Sequence, residues 1–252
     1  MLGIPECFPG AGEAEFSLQG GEFWVRKGCG SGWVWVALGT ILVRTAREAY
    51  MFWDKVAWVY DIFAYGINRK ANKALCAAVE KEIAPTDLVL ECACGTGLLT
   101  DGIARRCQSL TATDFSGNML KRAAKKLRKR KNVTFAQADI TALPYPDGAF
   151  DAVVAANVIH LLDEPYKALG ELDRVCRPGG KLIIPTYLNQ TEKGTTNGVS
   201  GAIGKAGADF KREFTLDSYR RFFAEAGYTD VGYTLCKGRI PCAVAVIRKP
   251  GK

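Results

Sequence analysis

Beyond Asp87 the hydrophobic positions fall into two patterns, short apolar runs and longer stretches with helical spacing, which alternate to the end of the chain. Leu88-Val89-Leu90 is the first apolar run, and a helix is expected from about Leu98 to Arg106. Leu110 to Thr113 reads as a second strand. The stretch after it places Leu120, Ala123, Ala124 and Leu127 at i, i+3, i+4 and i+7, one apolar face of a helix that Ser116 can cap. Val133 to Ala136 and Phe150 to Ala155 read as the third and fourth strands, the latter preceded by a turn containing Pro144, Pro146 and Gly148. Pro165 opens a helix bearing Leu169, Leu172 and Val175, which Pro178-Gly179-Gly180 is expected to end. Lys181 to Ile184 starts a fifth strand. Thr215 caps a helix that turns Leu216, Tyr219, Phe222 and Phe223 inward, with Gly227 after it. Val231 to Leu235 and Ala243 to Ile247 then close the chain as an antiparallel pair. The alternation predicts an α/β fold with a mostly parallel sheet covered by helices on both faces and an antiparallel last strand. Such sheets bind ligands outside the carboxyl ends of their strands, so the residues just after each strand are the ones to read for chemistry.

The part before Asp87 is organised differently. Ala46 to Ile83 predicts two helices, the first carrying Phe52, Val56, Val59, Tyr60 and Phe63, the second Ala71, Leu75, Ala78 and Val79, with Pro85 as the stop. Residues 1–45 are rich in glycine and aromatics without clear periodicity, and all five tryptophans precede residue 59. They are read as an extension outside a catalytic domain spanning 46–252: a cap, a partner-binding arm, or sequence upstream of a start near Met51. The apolar run Gly32 to Val43 is twelve residues long, whereas a membrane span needs about 20. The expectation is a soluble, cytoplasmic protein with no transmembrane segment.

Composition narrows the chemistry. At 252 residues and 48% hydrophobic, the chain can bury a sizeable core. Its net charge of +8 is concentrated in Lys121 to Lys131, a run with eight Lys or Arg and no acid. A local run of that kind reads first as a solvated helix face. Nine cysteines without a CxxC pair, and a single histidine, His160, show no zinc-ligand spacing. The cysteines are read as buried free thiols, and no metal is expected.

The first strand ends in Glu91, followed by Cys92-Ala93-Cys94-Gly95-Thr96-Gly97 before a helix. Gly95 and Gly97 permit a tight turn and close ligand approach. A helix start offers N–H groups to an anion, while the Glu91 carboxylate suits a cation. Together they fit a zwitterion better than a pyrophosphate. This segment resembles the first motif of class I S-adenosylmethionine-dependent methyltransferases, (D/E)xGxGxG, with Ala93 in place of the first glycine. The resemblance implies a Rossmann-like seven-stranded sheet, S-adenosylmethionine as cofactor, and a cofactor loop built from Glu91, Cys92, Ala93, Gly95 and Gly97. TATDFSGNML, Thr111 to Leu120, resembles the family's second motif. It implies Asp114 on the ribose hydroxyls, Phe115 beside the adenine, and Met119 nearby. FAQADITALPYPDGAFD implies Asp139 receiving the adenine amino group and Ile140 packing on the ring. AANVIHLLDEPYKALGELDRVCRPGGKLII continues the resemblance and brings in Asn157 and His160. The match covers about Asp87 to Ile184 and, more weakly, Phe214 to Arg248. Tyr60-Asp61 and Tyr65 resemble the lead helix of the ubiquinone/menaquinone-biosynthesis and phospholipid methyltransferase branch, which would let Tyr60 close over the cofactor carboxylate.

Methyl transfer is an in-line displacement that needs alignment and exclusion of water, and some acceptors also need a general base. His160 is the candidate for that base, with a packing or substrate-contact role preferred. Tyr187 to Phe214, with five glycines, is expected to form a mobile lid. The expected partner is a small-molecule or lipid-like substrate, with peripheral membrane contact compatible and nucleic acid not expected. Two alternatives stand beside this reading: an RNA methyltransferase using Lys121 to Lys131, and a non-catalytic S-adenosylmethionine-binding protein. Base-amino methylation often shows an NPPY-like string where this chain has AANV. A nicotinamide oxidoreductase is disfavoured because the loop lacks GxGxxG spacing.

Overall fold

The computed structural model describes residues 15–19, 22–29, 32–37, 68–188, 211–238 and 240–251. These fall into two units, one within Met1–Ala49 and the other within Tyr50–Lys252. In the first, β1 (Glu15–Gln19), β2 (Glu22–Cys29) and β3 (Gly32–Ala37) form an antiparallel sheet in chain order, with Phe16 opposite Val25 and Trp24 opposite Ala37. The sequence reading left the structure of this extension open. β1 alternates polar and apolar residues, and the Trp- and Val-bearing β2 and β3 are strong strand formers even where strict alternation is missing.

The described part of the second unit opens with α1 (Arg69–Lys81) and then alternates: β4 (Leu88–Cys92), α2 (Thr100–Ala104), β5 (Ser109–Asp114), α3 (Gly117–Lys126), β6 (Val133–Gln137) and β7 (Phe150–Ala155). A 3-10 turn at Ile159–Leu161 precedes α4 (Pro165–Val175) and β8 (Cys176–Tyr187). The chain ends with α5 (Leu216–Glu225), β9 (Val231–Cys236) and β10 (Cys242–Arg248). The seven strands lie in the order β6-β5-β4-β7-β8-β10-β9. Only β10 runs against its neighbours, so the Rossmann-like seven-stranded expectation, with its antiparallel last strand, is what the structure has.

Strand alternation divides the core in two. Leu90, Val153, Leu182, Ile184 and Ala245 face the apolar sides of α4 and α5, which contribute Leu169, Leu172, Tyr219 and Phe223. Val89, Val154, Ile183 and Val244 face the other way, toward Leu75 and Val79 of α1, Ile103 of α2 and Leu120 of α3. Period-2 side-chain direction on the strands and 3.6-residue spacing on the helices give this result directly.

The helix caps follow the sequence reading. The Ser116 hydroxyl accepts from Met119 N–H, and Thr215 and Ser218 form a reciprocal capping box. Two boundaries differ. A turn occupies the residues up to Leu99, and α2 starts only at Thr100, later than the expected Leu98. Pro178-Gly179-Gly180 does not end α4, which stops at Val175. It forms the irregular opening of β8, where pairing with β7 jumps from Cys176–Phe150 to Lys181–Ala152. Proline has no N–H for the ladder, and a Cβ at Gly180 would lie 2.8 Å from the Asp151 and Arg177 carbonyl oxygens, so this composition suits a bulge. The first predicted helix and residues 189–210 of the expected lid lie outside the described residues. The lid's two ends belong to the core, with Tyr187 and Phe214 both buried.

The turn that carries the β6 loop is fixed by Arg174. Its guanidinium donates to the carbonyls of Leu143 (2.9 Å) and Tyr145 (2.7 Å) and to the Asp147 carboxylate (2.8 Å). At the other end of the sheet, the buried Asn68 side chain imitates a strand neighbour. Its amide donates to Ile240 C=O (3.0 Å) and its carbonyl accepts from Ile240 N–H (3.1 Å). Asn68→Ala removes both partners of a buried peptide unit, and each orphaned group costs about 1–3 kcal/mol. Urea denaturation of the variant is expected to show a loss of about 2–4 kcal/mol, with secondary structure unchanged below the transition.

Candidate functional site

Because β6, β5, β4 and β7 are adjacent and parallel, their carboxyl ends share one rim. Glu91 lies in β4 with its side chain buried, and its Oε2 has no hydrogen-bond partner among the described residues. Burial pushes its carboxyl pKa up to about 8. The nearby Thr100 hydroxyl opposes that rise and the charge of Asp114 adds to it. Thr100 Oγ1 is itself buried without a partner at full hydrogen-bond geometry. Cys92 beside it is buried and its thiol is pushed up to about 12, chiefly by desolvation, which makes it an inert wall residue at neutral pH.

The loop after β4 turns through left-handed backbone at Ala93 (φ 53°), Gly95 (φ 56°) and Gly97 (φ 85°). At Gly97 a side chain would also meet Leu127 Cδ1 at 3.1 Å, so glycine serves both the turn and close packing on α3. Ala93 holds a conformation that costs an L-residue about 1–2 kcal/mol relative to glycine. Three loop amides are already committed: Cys94 N–H to Thr113 C=O (2.9 Å), Gly95 N–H to Asp114 Oδ2 (2.8 Å) and Gly97 N–H to Cys94 C=O (3.0 Å).

Asp114 is the joint of the rim. Its Oδ2 holds Gly95 N–H in the β4 loop, its Oδ1 accepts from Ser116 N–H (2.9 Å) at the start of α3, and its carbonyl accepts from Ala138 N–H (3.2 Å) after β6. A carboxylate has about four lone-pair sites, so it can hold loop amides and other donors together. Phe115 is 43% exposed, while Met119 is buried in α3. Beyond β6, Asp139 is exposed and caps its own turn, Oδ1 accepting from Thr141 N–H and Oγ1 at 2.8 Å each. Ile140 is buried in the core with Leu143.

After β7, Asn157 takes a left-handed conformation (φ 53°), donates its N–H to Pro185 C=O (2.8 Å) and buries Oδ1 without a partner among the described residues. His160 is buried, and its Nδ1 lies 3.0 Å from Thr186 Oγ1. Burial holds its imidazole pKa down at about 4, so the ring is neutral at physiological pH.

The rim thus gathers Glu91, Cys92, Ala93, Gly95, Gly97, Asp114, Phe115, Asp139, Asn157 and His160 at the ends of neighbouring strands, with Ile140 and Met119 in the core behind it. Tyr60 lies outside the described residues. The sequence reading passed over Thr100 and Thr186. Thr186 had one available signal, a hydroxyl residue late in the apolar strand that begins Lys181-Leu182-Ile183-Ile184. The unpaired acceptors Glu91 Oε2 and Asn157 Oδ1 suit the donors of an ammonium, and the Asp114 oxygens suit hydroxyls, so the residues present fit an aminoacyl nucleoside such as S-adenosylmethionine.

The Glu91 carboxyl has a pH signature. Its folded pKa lies above the ordinary value of 4.5, so the ligand-free fold loses stability as pH rises from about 4.5 to about 8 and is unaffected below that window. Glu91→Gln removes the loss. Denaturation at about pH 5 and about pH 9 should show little advantage for the variant at the lower pH and an advantage of a few kcal/mol at most at the higher. An equal difference at both values would contradict a buried, proton-binding Glu91.

Residues 90–184 match the methyltransferase domain family. The chain is 36% identical over 152 residues to a demethylmenaquinone methyltransferase of Renibacterium salmoninarum, covering 59% of this chain and 62% of that protein. It is 37% identical over 138 residues to a ubiquinone/menaquinone biosynthesis C-methyltransferase of Bdellovibrio bacteriovorus, covering 52% and 58%. The alignments thus span less than two thirds of these relatives. Among solved structures, the [4+2]-cyclase SpnF superposes with a TM-score of 0.68 at 20% identity, over 85% of this chain and all of that one. Magnesium protoporphyrin IX methyltransferase of Synechocystis, with bound SAH, superposes with a TM-score of 0.63 at 16% identity, over 81% and 100%. At such identities the structural likeness speaks for the fold alone, while the sequence match of residues 90–184 is to the methyltransferase domain family, with which the rim chemistry agrees.

Proposed function

We propose that the protein transfers a methyl group from S-adenosylmethionine to a small, apolar, quinone-like acceptor. The observation that carries this reading is the buried Glu91 carboxyl, with Oε2 unpaired, at the rim where Asp114 fastens the β4 loop to α3. In this reading Glu91 and Asn157 receive the methionine ammonium and Asp114 receives the ribose hydroxyls. Asp139, Ile140 and Phe115 border the adenine, and the backbone of Cys92 to Gly97 passes under the methionyl chain.

S-adenosylmethionine supplies an electrophilic methyl on a sulfonium, and the chain's own residues supply alignment and exclusion of water. His160 adds no positive charge beside a cationic cofactor, because burial keeps its ring neutral. A base so depressed is a weak proton acceptor at neutral pH. His160 therefore acts by orienting the acceptor, its own ring set by Thr186. The quinone-like acceptor class rests on the relatives in Renibacterium and Bdellovibrio, named for demethylmenaquinone and for ubiquinone/menaquinone biosynthesis. A cyclase shares the fold, so turnover decides the chemistry.

The full chain, incubated with methyl-labelled S-adenosylmethionine and reduced demethylmenaquinone, is expected to place label in the extracted quinone. Binding of S-adenosylhomocysteine without label in any reduced quinone would instead support the non-catalytic alternative. Asp114→Ala is expected to weaken S-adenosylhomocysteine binding by about 1.5–3 kcal/mol, the worth of hydrogen bonds to a charged group. Isothermal titration measures this, and an unchanged affinity would remove Asp114 from the site.

A further inference from the structure

The basic run that the catalytic reading does not use is an ordered surface. Seven of the eight Lys and Arg residues between Lys121 and Lys131 are exposed, along α3 and the turn that follows it. The exception, Arg130, is paired with Asp101 at 2.8 Å. Asp101 also pairs with Arg105, so this acid is already engaged by two cations. The end of the run is pinned: Asn132 Nδ2 donates to the carbonyls of Ala104 (2.8 Å) and Cys107 (3.3 Å). The basic side chains are therefore displayed from a fixed backbone.

The apolar face of the same helix is turned into the fold. Met119, Leu120, Ala123 and Leu127 are buried and the small Ala124 is half-buried, so α3 has no large apolar side chain to insert into a hydrocarbon layer and attracts by charge. The run holds no aromatic residue on which a nucleobase could stack. It begins at Lys121, two residues beyond Met119 and seven beyond Asp114, and runs away from the rim toward the amino edge of the sheet, where Asn132 C=O accepts from Leu110 N–H.

We propose that this face docks the protein electrostatically on an anionic lipid surface, the phase in which an apolar quinone-like acceptor resides. The choice of a lipid partner rests on the acceptor class proposed above, and the existence of the anion-binding face rests on charge complementarity alone. Each basic residue near such a surface contributes about a fivefold gain in partitioning, and the attraction falls off within a screening length.

The test is sedimentation of the full chain with phosphatidylcholine vesicles, with and without phosphatidylglycerol, without methyl donor or acceptor. Binding is expected only to the phosphatidylglycerol-containing vesicles and is expected to be lost near molar salt, where the screening length is about 3 Å. Replacing Lys121, Lys125 and Lys129 with Gln should lower the partition coefficient about a hundredfold, from about fivefold per residue. Replacing Arg69, Lys73 and Lys237 with Gln changes net charge equally from other exposed positions and should lower it much less. Circular dichroism and S-adenosylhomocysteine affinity check that both variants are folded. Equal binding to both vesicle types, equal losses in the two variants, or salt-sensitive binding of RNA without vesicle binding would each overturn the proposal. Vesicle binding that persists when no quinone is methylated would break the catalytic reading and leave the docking face standing.

Discussion

Consecutive residues at the end of β8 hold the functional rim together. The Ile184 carbonyl accepts from Tyr219 OH of α5, Pro185 C=O accepts from Asn157 N–H, and Thr186 Oγ1 meets His160 Nδ1. Tyr187 OH donates to Asn72 of α1 and Leu188 N–H to Pro241 C=O. A strand alternates its side chains between two faces while its backbone groups lie in the sheet plane. One strand end can therefore grip helices on both sides and the loop of a neighbouring strand at once. The left-handed Asn157 and the buried His160 are held in place by this arrangement rather than by their own sequence neighbours.

Asp114 does the same at the other half of the rim. One carboxylate and one carbonyl join the loop after β4, the start of α3 and the segment after β6. Hydrogen bonds to a carboxylate are about twice as strong as neutral ones, and here two of them set loop geometry before any ligand arrives. Glu91 is the counterweight, a buried acid whose Oε2 stays unpaired at the expense of fold stability when ionised. Uncompensated buried acids concentrate at functional sites, because the partner that would neutralise them is the ligand.

Ala93 shows a local rule set aside at the same place. Left-handed backbone favours glycine, yet this chain carries alanine at φ 53° in the loop after β4. The strain of about 1–2 kcal/mol is absorbed by a loop whose neighbouring amides at Cys94 and Gly95 are tied to β5.

The sequence alone determined most of the described elements of the second unit, because periods of 2 and 3.6 and the caps at Ser116 and Thr215 are local signals. It also located the rim, because in a parallel sheet the residues after each strand must share one edge. The bulge at Pro178-Gly179-Gly180 was misread as a helix stop, since proline and glycine mark both and only pairing with β7 separates them. The strands β1–β3 went unassigned because β1 alternates polar and apolar residues over only five positions, while β2 and β3 are apolar and aromatic without strict alternation. Only the tertiary structure decided that Glu91 keeps Oε2 unpaired, that Asp114 spends both oxygens on backbone amides, and that Thr186 partners His160. Those are distances and burials between residues far apart in the chain, and no local pattern encodes them.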